Sequence, residues 1–283
     1  MTTISSESKT IEIGRGLPTA MIGERINPTG KKKLAAALQA GDFDYIAREA
    51  VRQVEAGATV IDVNAGVPGI DEPRVLRQAV ETVMRVVDVP LSIDSSDPDA
   101  LEAALSVYKG KALVNSVTGE ERILAKVLPL VKKHGATVIG LTMDDSGISC
   151  VAEDRVGIAR RIVAAAEKYG IAREDLLIDC LAMTVSADHT AAQTTLAAIR
   201  RVTEELGVST VLGASNVSYG LPDRVTINAI FLGMAIGAGL TSAIVDPTVP
   251  EIPKAIVTAD MLAGRDEYGM RYIQHYRATQ QKG

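Results

Sequence analysis

Residues 57–66 read GATVIDVNAG, and the reading of this stretch decides the fold. A helical pattern at 44–56 ends in Gly57, a short β-branched run fills 59–63, and Asp62 and Asn64 stand at its end. An apolar run this short fits a strand covered on both faces, as in a parallel sheet layered with helices. Glycine at the junction suits the end of a helix, where the chain needs positive φ before it turns into a strand. A second helical pattern follows at 72–87, so the stretch is one turn of a βα series.

Working outward, the same unit recurs to a total of eight. Strands are expected at 20–26, 59–63, 91–93, 112–115, 137–141, 176–178, 210–212 and 241–245. The helical patterns that follow them lie at 44–56, 72–87, 98–107, 120–134, 153–168, 190–206, 223–238 and 251–262. Gly57, Gly110, Gly135, Gly207 and Gly239 mark five helix-to-strand junctions. An open doubly wound sheet could also use eight units, but its first turn should carry GxGxxG, and none follows 20–26. No linker or low-complexity block interrupts the series. The expectation is a single-domain α/β protein, a (β/α)8 TIM barrel with an extra C-terminal helix. Residues 1–19 form an N-terminal extension, 20–264 the barrel, and 265–283 a C-terminal helix and tail, in which the amphipathic segment 266–277 packs outside the barrel.

Composition narrows the function. Of 283 residues, 47% are apolar and 23% charged, enough for a large core. A net charge of −5 offers no positive field to gather phosphates, which argues against a nucleic-acid partner. Two cysteines and three histidines, without ligand spacing, support neither a disulfide framework nor a bound metal. With no apolar segment near the start, this points to a cytoplasmic protein. No charge occurs between Arg224 and Asp246, a length that could span a membrane, but the stretch breaks at Gly239 into a helix-like and a β-like half. It reads as a buried helix feeding a buried strand, with no membrane.

Chemistry in a (β/α)8 barrel sits at the C-terminal ends of the strands. Here those ends are polar in every unit: Glu24 and Asn27, Asp62 and Asn64, Asp94, Asn115, Thr142 and Asp144, Asp179, Asn216, and Asp246. Some of these can simply cap the following helix, which suits Ser96, Asp97 and Asp246. Capping accounts poorly for Asp62, Asp94, Asn115 and Asp179, which stand several positions before a plausible cap. The mouth has no Cys–His or Ser–His–Asp set, and His134, His189 and His275 fall away from strand ends. Cys150 and Cys180 are isolated thiols. A mouth of carboxylates and amides suits a heterocycle rich in N–H donors, since a carboxylate accepts two parallel hydrogen bonds from an amino-pyrimidinone edge.

Seven stretches occur in order: GERIN at 23–27, GATVIDVNAG at 57–66, SIDSS at 92–96, LVNSVTGE at 113–120, GATVIGLTMDDSGI at 135–148, LLIDCLAM at 176–183 and GASNVSYGLPDRVTIN at 213–228. Together they resemble the pterin-binding methyltransferases that move a methyl group between methyltetrahydrofolate and a corrinoid protein, over about residues 20–262. The nearest likenesses are the methyltetrahydrofolate:corrinoid/iron–sulfur protein methyltransferase and the folate module of cobalamin-dependent methionine synthase.

The resemblance implies a barrel with the pterin deep in its mouth. Asp94, Asn115 and Asp179 match positions that hydrogen-bond the ring, Asn216 matches the asparagine near N5, and Glu24, Asp62, Asn64 and Arg224 match further pocket positions. It implies tetrahydrofolate or 5-methyltetrahydrofolate as substrate and a corrinoid (cobalamin) carried by a partner protein. The implied reaction is SN2 displacement by Co(I) at the N5-methyl carbon, with direction open, and such enzymes are commonly homodimers. Asn216 would then be the catalytic amide, donating to N5 as charge changes there. Tyr219 follows SNVS where the corrinoid/iron–sulfur branch has glutamine, closer to the methionine synthase version, and the chain lacks a DxHxxG cobalamin motif.

Two other readings compete. Dihydropteroate synthase uses a related barrel, but NPTGKKKLAAAL follows strand one where that family has NxTPDSFSDGG, and VNAG stands in place of GGESTRPG. A non-catalytic folate-binding protein would hold the ligand and transfer nothing.

Overall fold

A computed structural model describes residues 1–280; residues 281–283, the end of the expected C-terminal tail, lie outside the described residues. In chain order the elements are β1 (Thr2–Ser5), β2 (Thr10–Ile13), β3 (Ala20–Ile26), α1 (Lys32–Ala40), α2 (Phe43–Glu55), β4 (Val60–Asn64), α3 (Glu72–Val86) and β5 (Leu91–Asp94). Next come α4 (Pro98–Leu105), β6 (Leu113–Thr118), α5 (Glu121–His134), β7 (Thr137–Leu141), α6 (Ala152–Lys168), β8 (Leu176–Asp179), α7 (Ala191–Arg201) and β9 (Ser209–Val211). The chain ends with α8 (Arg224–Gly237), β10 (Ser242–Val245), α9 (Glu251–Leu262) and α10 (Met270–Gln280).

Eight parallel strands follow the order β10, β3, β4, β5, β6, β7, β8, β9. The seam between β9 and β10 is thin: Ile244 N–H donates to Leu212 C=O at 2.9 Å, and Gly213 bridges to Ile244. This is the (β/α)8 barrel the strand series predicts, nearly closed. All five junction glycines have positive φ. Gly110 is needed on a second count, since a Cβ there would come within 2.3 Å of the Ser5 carbonyl oxygen. Asp42, Asp71 and Asp97 cap α2, α3 and α4, accepting from the N–H groups of Tyr45, Arg74 and Asp99.

Three features differ from expectation. The loop after β3 contains a helix, α1, whose Leu34, Ala37 and Leu38 are buried. The long helix expected at 190–206 stops at Arg201 and winds into a π turn at Val202–Leu206, where Thr203 donates back to Ile199 C=O at 2.8 Å. The N-terminal extension forms an antiparallel hairpin, β1–β2. Ile4 and Ile13 of this hairpin pack with Ala20, Ile22, Val60, Leu113, Ile139, Leu177 and Val211, the barrel-lining residues nearest the strand N-termini. The hairpin therefore plugs the bottom. Thr2 donates to Ser209, and Tyr108 and Lys111 donate to the Ser5 carbonyl at 2.9 Å each.

The uncharged stretch between Arg224 and Asp246 is α8 feeding β10. Among the described residues no helix is long and apolar enough to cross a membrane. Helix α10 carries the C-terminal amphipathic segment along the outside against α9, and none of its residues is buried.

Candidate functional site

Side chains alternate across a strand, so every second residue points into the barrel. On β3 the apolar lining residues Ala20 and Ile22 are followed in this alternation by Glu24; on β4, Val60 is followed by Asp62 and Asn64. On β6 Leu113 is followed by Asn115, and on β8 Leu177 by Asp179. Parallel register sets Asp62 beside Ser92, Asn64 beside Asp94, and Asp94 beside Asn115. One inward stripe thus changes from hydrocarbon to acid and amide as it rises to the mouth.

The centre of this layer is a hydrogen-bonded group. The buried Asp62 carboxylate accepts from Ser92 at 2.6 Å and from Asn115 at 3.1 Å. Asn27, just past β3, donates to Asp94 at 3.1 Å. Burial raises both carboxyls well above the usual carboxylate range. Donors from Ser92 and Asn115 pull Asp62 back down, whereas the Asp62 charge pushes Asp94 further up. Asn64 hydrogen-bonds the Asp94 carboxyl, which lowers its pKa, and accepts from the Gly66 N–H at 2.8 Å, fixing the loop after β4.

Glu24 owes its position to a β-bulge. The β3–β4 register slips between Gly23 and Ile26, and the Arg25 N–H donates to the Gln53 side chain at 2.9 Å. Gly23 makes this approach possible, because a Cβ would stand 2.4 Å from the same Gln53 oxygen. Burial pushes the Glu24 carboxyl up to about 7 against the opposing pull of Lys31. Lys31 donates to the backbone carbonyls of Glu24 and Asn27 at 3.1 and 3.2 Å, and burial lowers its pKa. The sequence shows Lys31 only as the first of three consecutive lysines. It alone of the three is partly buried.

Across the mouth, Asp179 accepts from the Leu181 N–H at 2.7 Å, and burial pushes its carboxyl up to about 6. Leu181 adopts a left-handed conformation (φ 57°). That conformation is braced by the buried Arg155 guanidinium, which donates to the carbonyls of Cys180 and Leu181 at 2.8 and 2.6 Å. Sequence reading missed Arg155, which looks like any surface arginine on an amphipathic helix. Cys180 is buried and its thiol is pushed up by burial and the Asp179 charge, so it is inert. Asn216 lies exposed on the 3-10 turn Ala214–Ser218 that follows β9. Arg224 sits beside the same turn. Its guanidinium donates to Ser218 Oγ at 3.0 Å and Ser215 C=O at 2.8 Å and lies 5.8 Å over the Tyr219 ring, bracing the turn that carries Asn216.

Asp246 does not cap the following helix α9, whose N-cap is Pro250; it accepts from the Thr248 N–H in the loop before that helix and pairs with Arg25 at 3.1 Å. His134 contacts Glu102 on the outer helix layer, far from the mouth. Among the described residues no group of three or more His, Cys, Asp or Glu side chains could hold a metal ion.

A barrel whose mouth presents acid and amide edges in place of a nucleophile is a site for holding a polar heterocycle. The pterin binding enzyme family matches residues 23–246, and the chain belongs to it. It is 32% identical over 265 residues to a methylcorrinoid:tetrahydrofolate methyltransferase of Eubacterium limosum, covering 91% of this chain and 96% of that protein. It is 31% identical over 255 residues to the methionine synthase of Mycobacterium leprae; the match covers 86% of this chain and spans only 21% of the length of that relative. Among solved structures, a dihydropteroate synthase of Yersinia pestis superposes with a TM-score of 0.67 at 18% identity, over 92% of this chain and 98% of that one. At that identity the likeness is one of fold. The methyltransferase names agree with the family that the seven ordered stretches resemble.

Proposed function

We propose that this protein transfers a methyl group between N5 of tetrahydrofolate and the cobalt of a corrinoid borne by a separate protein. The observation that carries the reading is the polar layer of carboxyls and amide at the mouth, Asp62, Asp94, Asn115 and Asp179. Likeness over nearly the full length of both chains to a methylcorrinoid:tetrahydrofolate methyltransferase supports it.

In this reading Asp94 and Asp179 accept the N–H groups of the pterin, with Asn115 as donor and acceptor between Asp62 and the ring. Asn64 and Glu24 complete the wall, and Arg224 holds the turn that brings Asn216 to N5. The corrinoid supplies the nucleophile, Co(I), in one direction and the methyl group in the other. The chain's own task is to orient N5 toward solvent, where a docked partner reaches it, and to stabilise the change of charge there. Asn216 does so by hydrogen bonding and needs no shifted pKa. The family resemblance supports a demethylating or methyl-carrying route for this reading.

A second copy of the chain is proposed to cover the groove between α8 and α9, lined by Ala229, Gly233, Gly237 and Ala255 and flanked by exposed Ile230 and Leu262. Small residues allow close helix approach about a two-fold axis. Light scattering should give twice the chain mass, and Ile230→Glu should halve it.

The deciding experiment supplies tetrahydrofolate with methylcob(III)alamin, and methyltetrahydrofolate with cob(I)alamin, and follows the cobalt spectrum. Transfer in both directions is expected. Tight folate binding without transfer, on free corrinoid or on a corrinoid protein, would sink the enzyme reading. Asn216→Ala should slow transfer by about 10²-fold while folate still binds.

A further inference from the structure

Behind the 214–218 turn lies a cavity of about 60 Å³, lined by Glu24, Ser215, Asn228, Asp246, Leu232 and Val245 among others. Asn228 reaches it from α8, and its amide oxygen is buried without a hydrogen-bond partner. A carbonyl oxygen accepts, so its complement is an N–H or O–H donor, and the protein supplies neither. A water takes about 30 Å³ of liquid volume, so a space this size with several polar groups in its wall suits about two ordered waters. Glu24 stands in the same wall, and Ala214 and Ser215 of the turn that bears Asn216 form another side.

We propose that this cavity is a proton chamber for the reaction at N5, in which Glu24, joined through ordered water to Asn228, takes the proton released when tetrahydrofolate is methylated. The proposal rests on the methyl-transfer reading. In that direction the Co–C bond breaks with its electron pair left on cobalt, the N5–C bond forms, and the N5 proton departs. In reverse, Glu24 returns the proton as tetrahydrofolate leaves. One proton crosses per turnover, and no other co-reactant is needed. Asn228 is a positioning residue. It accepts a hydrogen bond when the chamber holds the neutral acid and so favours that form.

The charged groups around Glu24 come from each neighbouring element. Lys31 stands on the loop after β3, Asp62 on β4, Asp246 after β10, and Arg25 on β3 itself, where it pairs with Asp246 and Glu49. Helices α8 and α9 present Asn228 and Ile252 to the cavity. With its carboxyl pushed up to about 7, Glu24 can both take and give a proton near neutrality.

The test is single-turnover transfer from methylcob(III)alamin to tetrahydrofolate across pH 5 to 9, with folate affinity measured by calorimetry on the same variants. Glu24→Gln should slow transfer by about 10²-fold and remove the limb near neutrality, with Glu24→Asp recovering part of both. Asn228→Leu, which fills the chamber, should slow transfer by about tenfold and shift that limb, whereas Asn228→Ser, which leaves room for water, should restore it. If Glu24→Gln keeps the wild-type pH profile, or Asn228→Leu matches Asn228→Ser, the chamber is wrong. Should Glu24→Gln fail to fold, the Asn228 pair decides alone. A wild-type protein that binds folate but transfers to no corrinoid overturns the methyl-transfer reading itself, a result distinct from an active wild type with an unmoved profile.

Discussion

The two ends of this barrel are closed by different chemistry drawn from the same strands. At the bottom, the inward stripe is Ala20, Ile22, Val60, Leu113, Ile139, Leu177 and Val211, sealed by Ile4 and Ile13 of the β1–β2 hairpin. At the mouth the stripe continues as Glu24, Asp62, Asn64, Asp94, Asn115 and Asp179. The bottom satisfies itself: hydrocarbon meets hydrocarbon, and the hairpin hydrogen-bonds to the strand starts. The mouth does not. Burial holds Glu24 and Asp179 far from their ordinary ionisation, a cost that a folded protein tolerates where a ligand repays it.

The comparison can be broken first at the bottom. Ile4 and Ile13 are both fully buried, so replacing either with alanine should cost about 2–5 kcal/mol of unfolding free energy through lost burial and the cavity left behind. Urea unfolding checks the loss, and calorimetry should find folate affinity unchanged. A plug mutation that weakens folate binding would show that the two ends are coupled.

At the mouth the sign reverses. Asp179 holds its proton up to about 6 in the folded chain against an ordinary 3.8, so the folded state binds protons more tightly than the unfolded one. Stability of the free protein therefore falls as pH rises from about 4 to about 6, by about 3 kcal/mol for this group, and stays lower above that window. Asp179→Asn should flatten that slope and leave the variant at least as stable at pH 7. Its measure is thermal unfolding across pH in the absence of folate. A steeper slope in the variant would refute the assignment.

Ligand binding sharpens the same contrast. Asp94→Asn removes one carboxyl group from the proposed pterin wall, a loss of about 2 kcal/mol if the bound ring draws the carboxylate form, so folate affinity should drop about 30-fold with no loss of stability. Unchanged affinity would take Asp94 out of the pterin contacts.

How far these properties can be read in the sequence follows from where they arise. Strand runs and junction glycines report local demands, a β-branched core and a positive φ, so all eight barrel strands are visible in it. Asp62, Asp94, Asn115 and Asp179 are visible too, because a carboxylate or amide closing an apolar run has no local reason to be there. The hairpin is not legible: four-residue strands such as Thr2–Ser5 are polar enough to pass for a tail, and only the barrel floor makes their alternation meaningful. Lys31, Arg155 and Asn228 were hidden for a related reason. Each is polar on a helix or loop, where polarity is ordinary, and acquires its role from a neighbour on another element or across a turn of the chain. Arg155 meets Cys180 and Leu181 just past β8, and Asn228 lines one cavity with Glu24 because β3 and β10 are adjacent in the barrel.

The smallest effect separates the rim of the mouth from its floor. Tyr219 is 68% exposed and lies under the Arg224 guanidinium, which in turn holds Ser215 and Ser218. Its backbone N–H donates to the Asn216 carbonyl at 3.1 Å, and its ring meets the turn through that cation. Removing the ring should therefore cost about 0.5–1 kcal/mol, a twofold to fivefold fall in transfer rate, with folate affinity nearly unchanged. Tyr219→Gln is the informative variant, since glutamine keeps a polar side chain at the rim without the π face, and Tyr219→Phe should retain the wild-type rate. A large loss of folate binding in Tyr219→Gln would mean that the ring lies against the ligand itself, and the rim would then belong to the floor's chemistry.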